Sequence, residues 1–359
     1  MMPPLLRYIL IRLLFIPITL IVITALLYGF VMLTPPEVRA TLFLPVGGNP
    51  ERMTAEQIQR LTERIIREHH LNDPYPVQYV GWVAGLVRGE WGWSPVLKQD
   101  VLAALVRRTP VTIELTLYAV LLFVPLGMVN GVLAGWRKNR ITDHIFRLSA
   151  FTATSLPIFV LAQVLMAIFY VVLGWFPPER LSMENMLLVR LPEFHAYTGL
   201  VTVDGFLNGR VDISLDAFRH LVLPVISLSL LHWATLGRVT RASMIEELGK
   251  DYTLAAKARG LSNQEVVWKH AFRNALTPSL TSSALSAASL FTGVFVIERI
   301  YNFKGISDLV VISVYETPDA ALVLGFAVYS VCIVLMIMVI LDILQGLFDP
   351  RVREGILQT

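Results

Sequence analysis

From Leu13 to Leu33 the chain runs without a single charge. A helix needs about 20 predominantly apolar residues to cross the hydrocarbon core of a bilayer. Within lipid only a helix or a closed barrel satisfies every backbone polar group. Arg7 and Arg12 precede the run, and Thr34, Pro35 and Pro36 follow it. A cleaved signal peptide has an apolar region of about 7–15 residues and a small-residue cleavage site. This run is longer, so it reads as a retained first span with residues 1–12 in the cytoplasm.

Further apolar runs set the rest of the topology. The second span is expected at Pro110–Trp136, followed by Arg137, Lys138 and Arg140. The third is expected at Ile145–Trp175, broken at Pro157, and the fourth at His220–Leu236, closed by Arg238 and Arg241. Pro278–Ile297 and Ala321–Leu341 complete the count, and Asp349, Arg351 and Arg353 lie near the end. Cations cluster on the cytoplasmic side of spans, which places both termini inside. Composition agrees: 55% of the 359 residues are hydrophobic and 16% charged, against about 25% charged in soluble domains. The mean hydropathy is +0.62. A net charge of +3 is small for a nucleic-acid binder. The fold class is therefore an all-α integral membrane protein of about six transmembrane helices. Its segments are residues 1–12, the first span 13–33, an extracytoplasmic segment 34–109, a core 110–348 with a cytoplasmic loop 243–277, and a tail 349–359. Pro125, Pro157, Pro224 and Pro278 read either as bends that let helices pivot or as helix-end packing.

Residues 34–109 are too polar to span. Thr54 is placed to cap an amphipathic helix whose Ile58, Leu61, Ile65 and Ile66 share a face, and Asn72-Asp73-Pro74 ends it. Pro76–Arg88 and Val96–Arg108 read as helices lying at the membrane interface. Arg107 and Arg108 fall on the outer side, where a long segment weakens the charge rule. His69 and His70 have only Glu68 at ligand spacing, so they read as a solvated helix end. Phe176–Arg219, with Pro177, Pro178 and Pro192, is expected as a loop, and Glu298–Ala320 as an outer hairpin.

Ionisable groups are scarce in the spans. Glu114, His232 and Asp342 are the main ones, and all sit near expected span ends, as partly solvated groups or as helix-pairing groups. Ion-coupled transporters place such groups at mid-depth, so a proton- or sodium-driven pump is disfavoured. The chain also lacks an engine. Gly249-Lys250 is followed by Asp251 and lacks the upstream glycine loop of a GxxxxGK[ST] motif; neither HExxH nor GxSxG occurs. The single cysteine, Cys332, lies in an apolar run without metal-ligand spacing. Work done by this chain must draw energy from another subunit.

The natural docking point is Asp251–Pro278, DYTLAAKARGLSNQEVVWKHAFRNALTP. It reads helix, glycine, helix. Tyr252–Arg259 holds good helix formers, and Ala255, Ala256 and Ala258 give it a slim surface. Gly260 stands where a left-handed C-cap residue belongs. Ser262 and Glu265 fit a capping box that opens a second helix, and Pro278 falls where that helix meets the next apolar run. A helix of about eight residues is about 12 Å long, suited to a partner's groove. The bland alternative is a connector whose Lys257, Arg259, Lys269 and Arg273 are a solvated cytoplasmic face.

Eight stretches in order resemble a permease subunit of an ABC importer of the peptide/nickel family, the B-type subunit of dipeptide and oligopeptide systems. They are RYILIRLLFIPITL, PVQYVGWVAGLVRGEWG, RRTPVTIELTL with VPLGMVNGVLAG, LPVISLSL, GRVTRAS, DYTLAAKARGLS with HAFRNALTP, VFVIERIYNFKGISDLV and LFDPRVR. The loop resembles the EAA motif of such importers, with Ala255, Ala256 and Gly260 in the matching places. Leu254 stands where the glutamate would be, and the later leucine–proline pair is absent. The resemblance implies that Asp251, Tyr252, Ala255, Ala256, Lys257, Arg259, Gly260 and Leu261 form an ATPase-coupling loop. It implies as partners a homologous second permease, two ATP-binding subunits and an extracytoplasmic solute-binding protein landing on 34–109 and on Tyr301–Asp319, in the cell membrane. No cofactor is expected on this chain; ATP and magnesium would sit on the partner subunits. ATP binding would press the coupling helices together and turn the pathway outward; hydrolysis would reset it. Nickel or another small solute remains open as cargo, and a stand-alone secondary transporter is the rival class.

Overall fold

The computed structural model describes residues 4–44, 53–316 and 319–348. Four described helices are long and apolar enough to cross a membrane, or six when two bent pairs each count as one span. The chain divides into two compact units, Met1–Pro110 with Gly305–Ile340, and Val111–Lys304 with Leu341–Thr359.

In the first unit α1 (Pro4–Val31) carries the spanning stretch Leu14–Val31. The helix α2 (Ala55–Glu68) starts on Thr54, whose side chain and Gln57 form a reciprocal capping box. Ile65 is buried, and Leu61 and Ile66 pack beside it against Ala40 and Leu71. Ile58 stays exposed, so three of the four expected apolar positions make the face. His69 stacks on Phe43 with ring centroids 4.1 Å apart, and burial pushes its imidazole pKa down. The helix α3 (Tyr75–Arg88) ends at Gly89, φ +88°. It is strapped to α1: Tyr75 donates to the Ala25 carbonyl at 2.6 Å, Tyr79 to the Ile21 carbonyl at 3.1 Å, and Tyr28 stacks on Trp82 at 4.9 Å.

The expected interfacial helix Val96–Arg108 is helical only from Val101, and there it is the first part of a longer helix. Trp93–Ser94 and Gln99–Asp100 pair as a minimal antiparallel hairpin. Asp100 then accepts from the backbone of Leu102 at 2.9 Å and starts α4 (Val101–Trp136). At 36 residues this helix is about 54 Å long, against a hydrocarbon core of about 30 Å. Pro110 lies inside it rather than at its start, at the cost of one backbone hydrogen bond. The expected hairpin 298–320 is also helical in part, with α12 (Ile306–Val311) and a wider turn at Ile312–Glu316. Asp319 accepts from Ser94 Oγ at 2.6 Å and from the Leu322 backbone at 3.0 Å, opening α13 (Ala320–Phe348).

In the second unit α5 (Ile141–Ser155) and α6 (Ile158–Met166, continuing through Ala167–Val172) meet at Pro157 with a bend of 101°. Pro224 and Pro278 instead lie inside continuous helices. The expected loop 176–219 contains α7 (Met183–Leu188) and α8 (Val201–Leu207), and α9 (Val211–Leu248) begins well before His220. Asp212, Asp216 and Arg219 lie on the first turns of this helix. Glu114 binds this polar layer to α4. Its carboxylate accepts from Arg180 Nη2 at 2.6 Å and from the Thr202 backbone and hydroxyl at 2.8 and 2.7 Å. It is only 1% exposed, so it is a pairing group and not a solvated end. Of the other two ionisable span residues, His232 lies 5.6 Å from the Phe123 ring, and the Asp342 side chain lies outside the described residues.

The core of this unit gathers Leu115, Phe123, Leu228, Leu290 and Tyr301. Beside it α4 and α9 approach closely through Gly127, Gly131 and Gly135, one helical turn apart. A Cβ on Gly131 would stand 2.6 Å from Thr240 Cβ, and one on Gly135 2.7 Å from Met244 Cβ. Small residues at i, i+4 spacing allow this contact in a membrane, where lipid removes the usual hydrophobic drive.

Candidate functional site

The end of α9 turns at Gly249 into an extended Lys250, and α10 (Asp251–Ala258) follows. Lys250 is held between Glu247 at 2.6 Å and Glu246 at 3.3 Å, and the Glu247 hydrogen bond raises its pKa. Thr253 Oγ1 returns to the carbonyls of Leu248 at 2.9 Å and Lys250 at 2.8 Å. Tyr252 donates to Glu247 Oε2 at 2.7 Å; burial first, and then that carboxylate, push its hydroxyl pKa up. The start of α10 is thereby tied to the last turn of α9.

The far end is closed by a full Schellman motif. The Leu261 backbone donates to the Ala256 carbonyl at 3.3 Å and the Gly260 backbone to the Lys257 carbonyl at 2.9 Å, the paired 6→1 and 5→2 bonds of that cap. Gly260 takes φ +83°, where a Cβ is disfavoured by backbone sterics. Nothing lies within 4 Å of a Cβ built there, so the demand is conformational and not one of space. Ser262 Oγ accepts from the Glu265 backbone at 3.3 Å and Glu265 Oε2 from the Ser262 backbone at 3.3 Å, starting the return helix. That run passes through a wider turn at Val266–Ala271 into α11 (Phe272–Ile300). The result is a knuckle, helix out and helix back, on a floor of Val132, Met244, Val267, Ala271 and Ala275.

All eight residues singled out from sequence lie on this knuckle, but they divide between two faces. Ala256 is buried toward the floor, as is its neighbour Thr253, which was not among the eight. Asp251, Ala255, Lys257, Arg259 and Gly260 are exposed, while Tyr252 and Leu261 are half-buried. Leu254, at the place of the expected glutamate, is 58% exposed and carries no charge. With Ala255 and Ala258 it forms a short apolar stripe flanked by Lys257 and Arg259. A cavity of about 380 Å³ lies behind, lined by Trp136, Leu248, Lys257 and Val266 among others.

One element of the site was not legible in sequence. Arg241, read there only as a cation closing a span, makes a two-pronged bond to Asp143, Nε to Oδ1 at 2.6 Å and Nη2 to Oδ2 at 2.8 Å. The Asn139 backbone donates to the same carboxylate at 2.9 Å. This clamp fixes the α4–α5 turn to α9 about two turns before the end of α9. No local spacing signals it, because the partners are 98 residues apart.

Residues 127–354 match the family model described as "Binding-protein-dependent transport system inner membrane component". The chain belongs to that family. The matched region of this inner membrane component contains the glycine stripe, the Asp143–Arg241 clamp and the whole knuckle. Over 333 residues the component is 31% identical to the di/tripeptide transport system permease protein of Pseudomonas aeruginosa, covering 92% of this chain and 94% of that one. It is 30% identical to the dipeptide transport system permease protein of Escherichia coli, covering 97% and 99%. The Bacillus subtilis protein of the same description is 30% identical, with 97% and 98% covered.

Proposed function

We propose that this inner membrane component is the permease subunit of an ATP-driven importer of peptides, and that α10 is the lever through which a separate ATP-binding subunit moves it. The cargo reading is supported by the descriptions of its relatives. The lever reading is carried by one observation: α10 is a capped, eight-residue helix with one face locked to its own bundle and an apolar stripe, Leu254, Ala255 and Ala258, turned to solvent. An amphipathic helix laid in a partner's groove is a recurrent recognition mode, and flanking Lys257 and Arg259 favour an acidic rim on that groove.

In this scheme both termini and α10 face the cytoplasm. A homologous permease completes the pathway, and two ATP-binding subunits, which hold ATP and magnesium, dock on the two knuckles. A solute-binding protein delivers peptide at the opposite face, where residues 34–109 lie. The chain itself catalyses nothing. When the ATP-binding subunits close, force enters at the stripe and passes through Thr253 and Ala256 into the ends of α9 and α11. The ligand-driven step is a shift between two packings of the bundle, and nucleotide contributes only its differential affinity for them.

The test is the ratio of peptide uptake to ATP hydrolysis in the reconstituted complex. Ala255→Asp places a charge in the docking stripe and should abolish uptake while the complex still inserts. Full uptake at the normal ATP stoichiometry in that variant would exclude the lever.

A further inference from the structure

In the first unit, Arg39 follows the end of α1 by eight residues and is 6% exposed. Its Nη1 donates to Gln78 Oε1 at 2.9 Å and contacts Met32 Sδ at 2.7 Å, while its Nε has no hydrogen-bond partner. Among the described residues no carboxylate pairs with it. The acid that shares its cavity, Asp319, is engaged by Ser94 and by the Leu322 backbone. A guanidinium stays charged at any accessible pH, and a buried charge lacking a counter-ion is strongly disfavoured.

Arg39 lines a cavity of about 460 Å³, inside the range of about 300–1,000 Å³ typical of small-molecule sites. Most of its other walls are apolar, with Leu27 and Phe30 of α1, Leu42, and Val323 and Leu324 of α13, while Thr34, Ser313 and Asp319 add polar groups. Phe30 and Val323 are also exposed on the surface of the unit, so the groove is continuous with the apolar flank of α1. Leu14–Val31 is long and apolar enough to cross a membrane, and a span of that length puts its C-terminal end at the level of lipid headgroups. The site therefore offers, at headgroup depth, a cation with no carboxylate partner among the described residues and an apolar slot beside it.

We infer that this groove holds a glycerophospholipid, with a phosphodiester oxygen paired to the Arg39 guanidinium and one acyl chain filling the slot between α1 and α13. The phosphate supplies a counter-ion that the described residues do not provide there. A peptide carboxylate would satisfy the arginine but would leave the apolar slot unfilled.

The test is the phospholipid retained by the purified full complex after detergent exchange, measured by mass spectrometry of extracted lipid. The wild-type complex should retain it, and millimolar inorganic phosphate should not displace it. Val323→Trp fills the slot and leaves Arg39 in place, and should strip the bound lipid. Arg39→Gln should weaken retention by about tenfold or more, as expected for loss of a charge-assisted hydrogen bond, and Arg39→Lys should restore part of it. If Arg39→Gln fails to assemble, Val323→Trp decides alone. Equal retention by wild type and Val323→Trp, or displacement of the lipid by a dipeptide, would overturn the inference.

Discussion

Two adjacent alanines of the coupling stretch do different work. Ala256 is 6% exposed and faces the floor of the knuckle, whereas Ala255 is exposed. Ala256→Asp should destabilise the knuckle itself, by about 1–3 kcal/mol for a buried polar group without a partner, and should lower the thermal midpoint of the purified complex. Ala255→Asp should leave that midpoint unchanged and act on coupling alone. Gly260 makes a separate demand. Gly260→Ala meets no neighbour and should cost about 1–2 kcal/mol from the left-handed backbone alone. Gly260→Asn should cost less, since asparagine tolerates that region. Equal midpoints for the two variants would show that the backbone conformation is not what the glycine serves. Local chemistry of this kind was legible in sequence: Gly260, the Ser262–Glu265 box and the Thr54 cap each involve residues within a few positions of one another.

Among the elements, the decisive contact is α4 on α9. Gly131→Ala would put a methyl carbon 2.6 Å from Thr240 Cβ and 2.7 Å from the Gly237 carbonyl, so the helices must separate. Overpacking of this kind costs about 1–3 kcal/mol. Gly29→Ala, with nothing within 4 Å, should be neutral or stabilising by about 0.5–1 kcal/mol. Thermal unfolding of the two variants in one detergent checks both; equal effects would mean that the glycine stripe is incidental. The Glu114–Arg180 pair is the second such contact. Arg180→Gln leaves a buried carboxylate with its hydroxyl and amide donors but without its cation. A loss of about 3–5 kcal/mol is expected where one partner of a buried pair is removed, visible as proteolytic opening of residues 176–210. Helix lengths were the least legible feature. Hydropathy reports only the part of a helix in lipid, so α4 and α9 were read short at their polar ends, and Pro110 was taken as a boundary when it lies within a helix.

For the molecule as a whole, the apolar runs sufficed to read an all-α membrane protein of about six spans, because a bilayer permits so few alternatives. Long-range pairings were hidden. Asp143–Arg241 and Glu114–Arg180 join residues far apart in sequence, and each partner taken alone reads as an ordinary topology charge or a span-end carboxylate. These pairs tie the knuckle and the polar layer around Glu114 to the helices beside them. The functional reading needs a rigid handle gripped by the nucleotide-binding partner, and a bundle with two packings. It is tested most directly by disulfide cross-linking of Leu254→Cys, in a Cys332→Ser background, to single cysteines in the groove of the ATP-binding subunit within the assembled transporter. A cross-link at position 254 that varies with ATP, together with none from the buried Thr253→Cys, is the expected result. Labelling of Leu254→Cys by an impermeant thiol reagent applied outside intact cells would contradict it.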